Sequence, residues 1–216
     1  MFDKKPRVAL EGTIGAAGFA SGDRIVVGIW ENGPLGPMID VMWADPGGKR
    51  TLLAPSEATA RFIGGVYDFD EIAVVQVSGR SEPDRLEVTA GPLAIELSAG
   101  APLRLFDVRP ERLARSPVWV RLEDLLLRPL VGALVLGGAR GVKAYGRTKS
   151  GVREWYRIDS YRPVISGSAR VYGRDLGELR DLHPAVRFGV SEFPTKPALV
   201  RCSPLLEGAE RFLPVD

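Results

Sequence analysis

The chain of 216 residues is 45% hydrophobic and 26% charged, the composition of an ordinary globular protein that is long enough to bury a core. Its 29 basic and 27 acidic residues give a formal net charge of +2, too small for the basic footprint of a nucleic acid-binding protein. The one cysteine, Cys202, excludes an intramolecular disulfide bond and favours a reducing compartment.

The apolar segments bear on the location of the protein. The amino-terminal residues MFDKKPRVALEG contain no apolar run of signal-peptide length. The longest apolar stretch, residues 129–138, is too short to cross a bilayer and contains a proline and three glycines. A cytoplasmic protein without a membrane partner is therefore expected.

The first predicted strands surround a loop rich in glycine and proline. Residues 23–30 and 38–44 are mostly apolar runs separated by ENGPLGP, and a strand at 50–54 follows the turn DPGGK. In the second run Asp40 stands among apolar residues on both faces of the strand, so we expect it to be partly buried. A buried carboxylate must be paired or have a raised pKa. Asp40 is therefore either in a salt bridge with an arginine or in a functional site.

A helix is predicted at residues 56–64, because Ser56 can cap its first turn and Gly64 can supply the left-handed residue that ends it. Alternation of apolar and polar residues then predicts an antiparallel hairpin with a tight Gly-Pro turn, flanked by two further strands. The strands predicted in this part of the chain are 71–77, 85–90, 93–99 and 102–108.

A second helix is predicted at residues 117–128, where apolar side chains recur on one face after a Ser-Pro start. The strands predicted beyond it are 141–147, 153–162, 164–173, 185–190 and 198–203. Roughly a dozen short strands with two short helices predict a mainly β fold, either an antiparallel β-barrel or a β-sandwich. We expect a single domain over residues 1–216, with two interdependent lobes, 1–115 and 116–216.

Signatures of common catalytic and cofactor sites are not found in the sequence. It contains no phosphate-binding loop, dinucleotide fingerprint or nucleophile elbow, and no pair of cysteines for zinc. His183 is the only histidine, which excludes a metal site with several histidine ligands. No metal and no cofactor are therefore expected, and no motif assigns a catalytic residue.

The segment REWYRIDSYR, residues 153–162, concentrates aromatic and charged side chains. On a regular strand one face would carry four of them: Trp155, Arg157, Asp159 and Tyr161. Neighbouring antiparallel strands would add others to that face: Tyr145, Arg147, Arg170 and Tyr172. Such a face suits a ligand, since rings stack on apolar groups while arginine and aspartate hold polar ones. The alternative is a solvent-exposed face of cross-strand pairs.

Three stretches in this part of the chain are similar to known sequences. REWY with a following aspartate, GRDLG and AVRFGVSEFPTKPALVR resemble a set of uncharacterised conserved proteins from high-GC bacteria. The resemblance covers residues 150–201. It implies a cytoplasmic bacterial protein and carries no activity or site residues with it.

Three functions are compatible with these patterns. The first is binding of a small, partly apolar molecule in a β-barrel cavity. The expected contacts are Trp155, Arg157, Asp159, Tyr161, Tyr172 and Asp40. The second is an enzyme with Asp40, Glu154 and Asp159 as acid–base groups and arginines that hold an anionic substrate. The third is a structural module that forms a homodimer through exposed sheet edges or the helix at 117–128.

Overall fold

The computed structural model describes residues 6–103, 145–189 and 193–214. The strands before residue 103 are β1 (Arg7–Ala9), β2 (Glu11–Phe19), β3 (Arg24–Asn32), β4 (Met38–Ala44), β5 (Arg50–Ala54), β6 (Glu71–Val74), β7 (Val77–Ser81), β8 (Arg85–Ala90) and β9 (Leu93–Ala99). Those after residue 145 are β10 (Tyr145–Arg147), β11 (Arg153–Val171), β12 (Arg174–Asp175), β13 (Leu179–Arg180) and β14 (Ala198–Glu207). Helix α1 (Glu57–Val66) lies between β5 and β6, and a 3-10 helix (Glu210–Phe212) follows β14.

Ten of these strands form one hydrogen-bonded path in the order β6-β5-β4-β3-β2-β14-β11-β9-β8-β7. Neighbours on the path are antiparallel except β5 and β6, which are parallel. The two ends of the path, β6 and β7, are consecutive in the chain and are joined by Val75 and Gln76. Val75 donates to the Ala54 carbonyl at the end of β5, and the Gln76 carbonyl accepts from Gly91 beyond β8, both at 2.9 Å. The sheet therefore curls until its two edges meet at this link, but no ladder between the described strands closes it into a barrel.

Strand β11 belongs to both halves of the curl. Residues 153–163 pair with β14, and residues 164–171 pair with β9. The register with β14 shifts between Ile158 and Ser160. An extra residue of this kind, a β-bulge, reverses the face of the side chains that follow it. A second register shift, between Val164 and Ser166 in the pairing with β9, reverses the faces again.

Two apolar cores lie on opposite faces of the sheet. On one face α1 packs through Phe62, Ile63 and Val66, in what we call the helix-side core. On the other face the curled sheet encloses an inner core that includes Ile95 and Leu97 of β9. Burial of each large apolar side chain contributes about 1.5–3 kcal/mol, so the two cores account for most of the stability of the fold.

The first predicted helix is confirmed, with a different end. The Ser56 side chain caps it and accepts the Thr59 backbone N–H at 3.2 Å. Gly64 does not end the helix, which continues to Val66. Gly64 instead leaves room for Ile72 of β6, because a Cβ at this position would lie 2.6 Å from Ile72 Cδ1.

The prediction of a mainly β fold is confirmed, while several strand boundaries differ. The predicted strands at 153–162 and 164–173 are one continuous strand, and the segment 71–77 is divided between the two edges of the sheet. Residues 185–189 form a loop rather than the predicted strand. Their apolar residues alternate because the loop packs against the helix-side core and not because it joins the sheet.

Some predictions fall on residues outside the described ranges. These are the second helix at 117–128, most of the strands at 102–108 and 141–147, and the boundary between the lobes near residue 115. Among the residues that the structure does describe, no helix has the length and apolar character needed to cross a membrane.

Candidate functional site

Asp40 lies in the middle of β4 and has no exposed surface. It shares a strand face with Met38 and Met42, which belong to the helix-side core, so its carboxylate points into that core. Trp30 on β3 donates its indole N–H to Asp40 Oδ1 at 2.7 Å. Gly28, directly opposite Asp40, makes room for this contact, because a Cβ there would lie 2.6 Å from Trp30 Nε1.

The predicted burial of Asp40 is confirmed, but its partner is an indole rather than the expected arginine. Its second oxygen, Oδ2, is buried and has no hydrogen-bond partner among the described residues. Burial raises the pKa of Asp40 from its usual 3.8 to about 7, although the Trp30 hydrogen bond acts to lower it. Near neutral pH the carboxyl group is therefore a mixture of its two protonation states, and one of its oxygens is unsatisfied.

A second buried carboxylate, Asp23, provides a comparison. It also has no exposed surface, and its Oδ1 accepts the Trp43 indole N–H at 2.7 Å. Its Oδ2 accepts from the Ser21 hydroxyl at 2.6 Å and from the Arg174 guanidinium at 3.4 Å. Both carboxylates thus use an indole donor, but Asp23 is fully satisfied whereas Asp40 is not.

Two tyrosine side chains pack against the helix-side core, on the same face of the sheet as Asp40. Tyr67 caps the end of α1 and Tyr156 extends from β11, and their hydroxyl oxygens are 2.6 Å apart. The Tyr67 hydroxyl is also hydrogen-bonded to Glu154, a carboxylate that is 2% exposed. Burial, followed by the negative charge of Glu154, raises the pKa of both tyrosines well above 10. The charge of Asp40 acts in the same direction on Tyr156, which places these groups within electrostatic reach of each other.

These five residues, Trp30, Asp40, Tyr67, Glu154 and Tyr156, are called here the carboxylate–tyrosine cluster. Three of them are buried, and the two tyrosines are half-buried. Polar groups that converge within apolar surroundings and have perturbed pKa values are typical of small-molecule sites. Within the described residues the cluster is therefore the best candidate for a functional site.

One side of the cluster is covered by the loop around Phe188. The Phe188 ring lies 5.5 Å from that of Phe69 and 6.4 Å from that of Phe193, measured between centroids. Next to it, Gly189 lies against Tyr67, where a Cβ would be 2.5 Å from Tyr67 Cδ1. The loop is thus packed directly on the tyrosine, and a larger residue at position 189 would displace the ring.

The segment predicted to form a ligand wall is divided by the β-bulge of β11. Arg157 lies opposite Ser203 of β14, whereas Tyr161 lies opposite Val200. Ser203 and Val200 are an odd number of positions apart and therefore face opposite sides of the sheet. Trp155 lies two positions before Arg157 and shares its face. The prediction of one common face is therefore wrong for Tyr161. Burial raises the pKa of the Tyr161 hydroxyl to about 12.

Trp155 is buried, with 3% of its surface exposed. It lies directly opposite Tyr145 of β10, as expected from the antiparallel pairing, with ring centroids 5.4 Å apart. The Arg7 guanidinium carbon lies 5.4 Å from the centroid of the Trp155 ring. Its indole N–H has no acceptor in the described part of the chain. The tryptophan is therefore packed between neighbouring strands rather than placed at an open pocket mouth.

The three carboxylates expected to act together in an enzyme are separated by the sheet. Asp159 forms an ion pair with Arg157 and accepts from the Ser203 hydroxyl at 2.9 Å. This pairing puts Asp159 on the face away from the helix-side core, whereas Asp40 and Glu154 point into that core. An acid–base pair could include Asp40 and Glu154, but not Asp159.

Tyr172 is at the other end of β11 from Trp155. It directly follows the last residue of the strand, is 80% exposed, and donates its backbone N–H to the Pro92 carbonyl at 2.8 Å. Arg170 is also near this end and lies 4.0 Å from the Asp175 carboxylate. The structure therefore does not bring either residue to the predicted ligand wall.

The sequence did not single out two members of the cluster, Trp30 and Tyr67. The contact of Trp30 with Asp40 depends on the register between β3 and β4, which an alternating pattern leaves open. Tyr67 reaches the cluster because α1 folds back over the sheet, and its contact Tyr156 is 89 positions away in sequence. No local pattern carries that information.

Metal-ligating groups and the cysteine thiol in the described ranges show no separate site. No group of three or more His, Cys, Asp or Glu side chains in these ranges is placed to hold a metal ion. Cys202 is buried in the helix-side core, and burial raises the pKa of its thiol. The thiol is therefore held in its protonated, unreactive form.

No protein-family model matches the chain, and a search of curated proteins found no significant match.

Proposed function

We propose that the protein binds a small, partly apolar molecule at the carboxylate–tyrosine cluster. The observation that carries this proposal is Asp40 Oδ2, which is buried and has no donor among the described residues. Few buried polar atoms in native proteins are unsatisfied, and a functional role or a bound water or ion is a usual reason for an exception. A ligand hydroxyl or amine that donates to Oδ2 would complete the site.

The surroundings favour a ligand with an apolar body. Met38 and Met42 flank Asp40 on the same face of β4, and Ile14 lies opposite Gly28 on the adjacent strand. Thioether side chains adapt well to ligands of irregular shape. In this proposal the ligand enters beside the two tyrosines, because they are the only cluster members that are not fully buried. In this proposal the sheet acts as an open barrel wall, and the ligand binds on its helix-covered side rather than inside the curl.

Acid–base catalysis on the bound molecule is a second function that one observation favours. The pKa of Asp40, at about 7, allows this carboxyl to give or take a proton near neutral pH, as general acid–base catalysis requires. The hydrogen-bonded Tyr67 and Tyr156 hydroxyls lie in the same core. In such an enzyme Asp40 would transfer the proton and the tyrosines would orient the substrate.

Thermal unfolding against a panel of hydroxyl-, amine- and amide-bearing metabolites and fatty acid derivatives tests the binding proposal. A cognate molecule is expected to raise the melting temperature in a saturable way. Asp40→Asn should weaken its binding about 10-fold or more, since a hydrogen bond to a charged group contributes about 1.5–3 kcal/mol. Conversion of the bound molecule at a rate that depends on Asp40 would establish catalysis.

Two variants locate the binding site. Asp159→Asn is the matched control, because it makes the same chemical change on the other face of the sheet. It should leave the affinity unchanged. Trp155→Phe tests the wall predicted from the sequence. If binding is weakened by Trp155→Phe or Asp159→Asn and not by Asp40→Asn, the site is not at the cluster.

A further inference from the structure

Arg24, the first residue of β3, is 3% exposed although it carries a full charge. It lies opposite Ala44 of β4, a residue of the helix-side core, and therefore on the same face of the sheet. Its guanidinium donates to the Asp45 carbonyl, and to the Pro184 carbonyl at 3.4 Å. The Nε–H is buried and has no acceptor among the described residues.

This guanidinium forms no ion pair with a carboxylate of the described residues. Other arginines do: Arg174 pairs with Asp23 at 3.4 Å, and Arg50 pairs with Asp70 at 3.0 Å. A buried cation without a counter-charge is unfavourable, because two carbonyl dipoles replace only part of the hydration that it has lost. Arg24 therefore lacks a partner that its surroundings require.

Neither Asp70 nor Asp45 supplies that partner. Arg50 lies two strands away on the same face and uses its own carboxylate, Asp70. The Asp45 side chain accepts the Lys49 backbone N–H at 2.9 Å, so only the carbonyl of Asp45 contacts Arg24. The excess positive charge thus stays at Arg24.

We propose that Arg24 anchors a second binding site, which takes the oxyanion group, a carboxylate or a phosphate, of a small molecule. A guanidinium is a planar fork of N–H donors that matches these groups with two parallel hydrogen bonds. Only two of its donor groups are used by carbonyls. Pro184 is exposed and Asp45 is half-buried, so the residues whose carbonyls contact the guanidinium lie at the surface.

This site is separate from the carboxylate–tyrosine cluster. Arg24 lies four positions before Gly28, the residue opposite Asp40, which corresponds to about 13 Å along β3. Asp40→Asn should therefore leave anion binding unchanged. A failure of the metabolite panel would count against the proposed function and not against the anion site.

Anion binding is measured on the full chain at constant ionic strength, with sodium chloride replaced stepwise by sodium phosphate or sodium acetate. The wild-type protein is expected to show a saturable rise in melting temperature, of about 5 °C or more once the anion reaches a hundredfold excess over Kd. In the phosphate series its phosphorus NMR signal should broaden in a saturable way. Arg24→Met should abolish both responses.

Two further variants make the test decisive. Arg24→Lys keeps the charge but loses the planar fork, and should weaken binding about tenfold; it also replaces Arg24→Met if that variant does not fold. Arg174→Met is the matched control, since Arg174 is exposed and has Asp23 as its own partner, and it should respond like the wild type.

A response to acetate alone or to phosphate alone supports the site and identifies the group that it takes. The proposal is overturned by no saturable wild-type response to either anion, by unchanged affinity in Arg24→Lys, or by an equal loss in Arg174→Met.

Discussion

Replacement of Asp40 by asparagine isolates the titration of one buried group. Asparagine has nearly the same volume, keeps an oxygen that accepts from Trp30, and carries no charge at any pH. In the folded protein the pKa of the Asp40 carboxyl is about 7, against its usual 3.8. Because the folded-state pKa is raised, the folded protein binds the proton more tightly than the unfolded chain. The stability that this preference contributes is fully present below about pH 3.8 and is lost as the pH rises through about 7.

The interval between the two pKa values sets the size of the effect. At about 1.4 kcal/mol per pH unit, the rise from 3.8 to about 7 corresponds to about 4 kcal/mol lost by the wild type between acidic and alkaline pH. The asparagine variant has no such loss. We therefore expect the stability of Asp40→Asn relative to the wild type to increase by about 3 kcal/mol between pH 5 and pH 8.

Urea unfolding of both proteins at intervals from pH 5 to pH 8 measures this difference. All other titrating groups are shared, so their contributions cancel when the free energies of unfolding are subtracted. A difference that changes by less than about 0.5 kcal/mol over this range would refute the raised pKa, and with it the burial of an unsatisfied carboxylate. A ligand that donates to Oδ2 would favour the ionised form, and its addition should reduce the pH dependence of the wild type.

Three further outcomes are expected. Trp30→Phe removes the donor that lowers the pKa of Asp40, so the carboxyl group should titrate at higher pH when followed by carbon NMR. A titration midpoint that is lower or unchanged would contradict the hydrogen bond. Gly28→Ala should lower the free energy of unfolding in urea by about 1–3 kcal/mol, because its Cβ would lie 2.6 Å from Trp30 Nε1. An unchanged free energy of unfolding would count against this packing. Cys202, 1% exposed with a pKa raised by burial, should react with a thiol reagent slowly in the native protein and quickly in denaturant. Rapid labelling of the native protein would be inconsistent with its position in the core.

The strands that the sequence predicts best are those with one buried face. Strands β8 and β9 alternate buried and exposed residues, and a period of two is a direct consequence of that arrangement. Strand β2, with the sequence EGTIGAAGF, gives no such signal because most of its residues are buried on both faces. Its small residues allow side chains of other strands to pack close to its backbone. For example, a Cβ at Gly15 would lie 2.8 Å from Leu86 Cδ1 across the curl. Close packing of this kind depends on the tertiary fold and leaves no local periodicity.

The candidate site was predictable only in part, for related reasons. The burial of Asp40 follows from its apolar neighbours on β4, which are visible in the sequence. The β-bulge that moves Tyr161 to the other face inserts a single residue into β11, and the alternation of residue types does not reveal it. Contacts between Tyr67 and Tyr156 require α1 to pack over a strand much later in the chain. Burial is thus encoded locally, whereas partners are set by register and topology.

The contrast between Asp23 and Asp40 is the strongest physical argument for a ligand. Both are completely buried carboxylates with an indole donor at 2.7 Å. Asp23 also accepts from a hydroxyl and a guanidinium, so its interactions offset the loss of hydration. Asp40 has one hydrogen bond, and its pKa is raised to about 7. This shift corresponds to a free energy of unfolding that is about 4 kcal/mol lower at alkaline pH. Buried ionisable groups of this kind can often be replaced by apolar residues without loss of stability. The fold itself therefore gains little from an acid at position 40, and this supports our proposal that a bound molecule brings a donor to it.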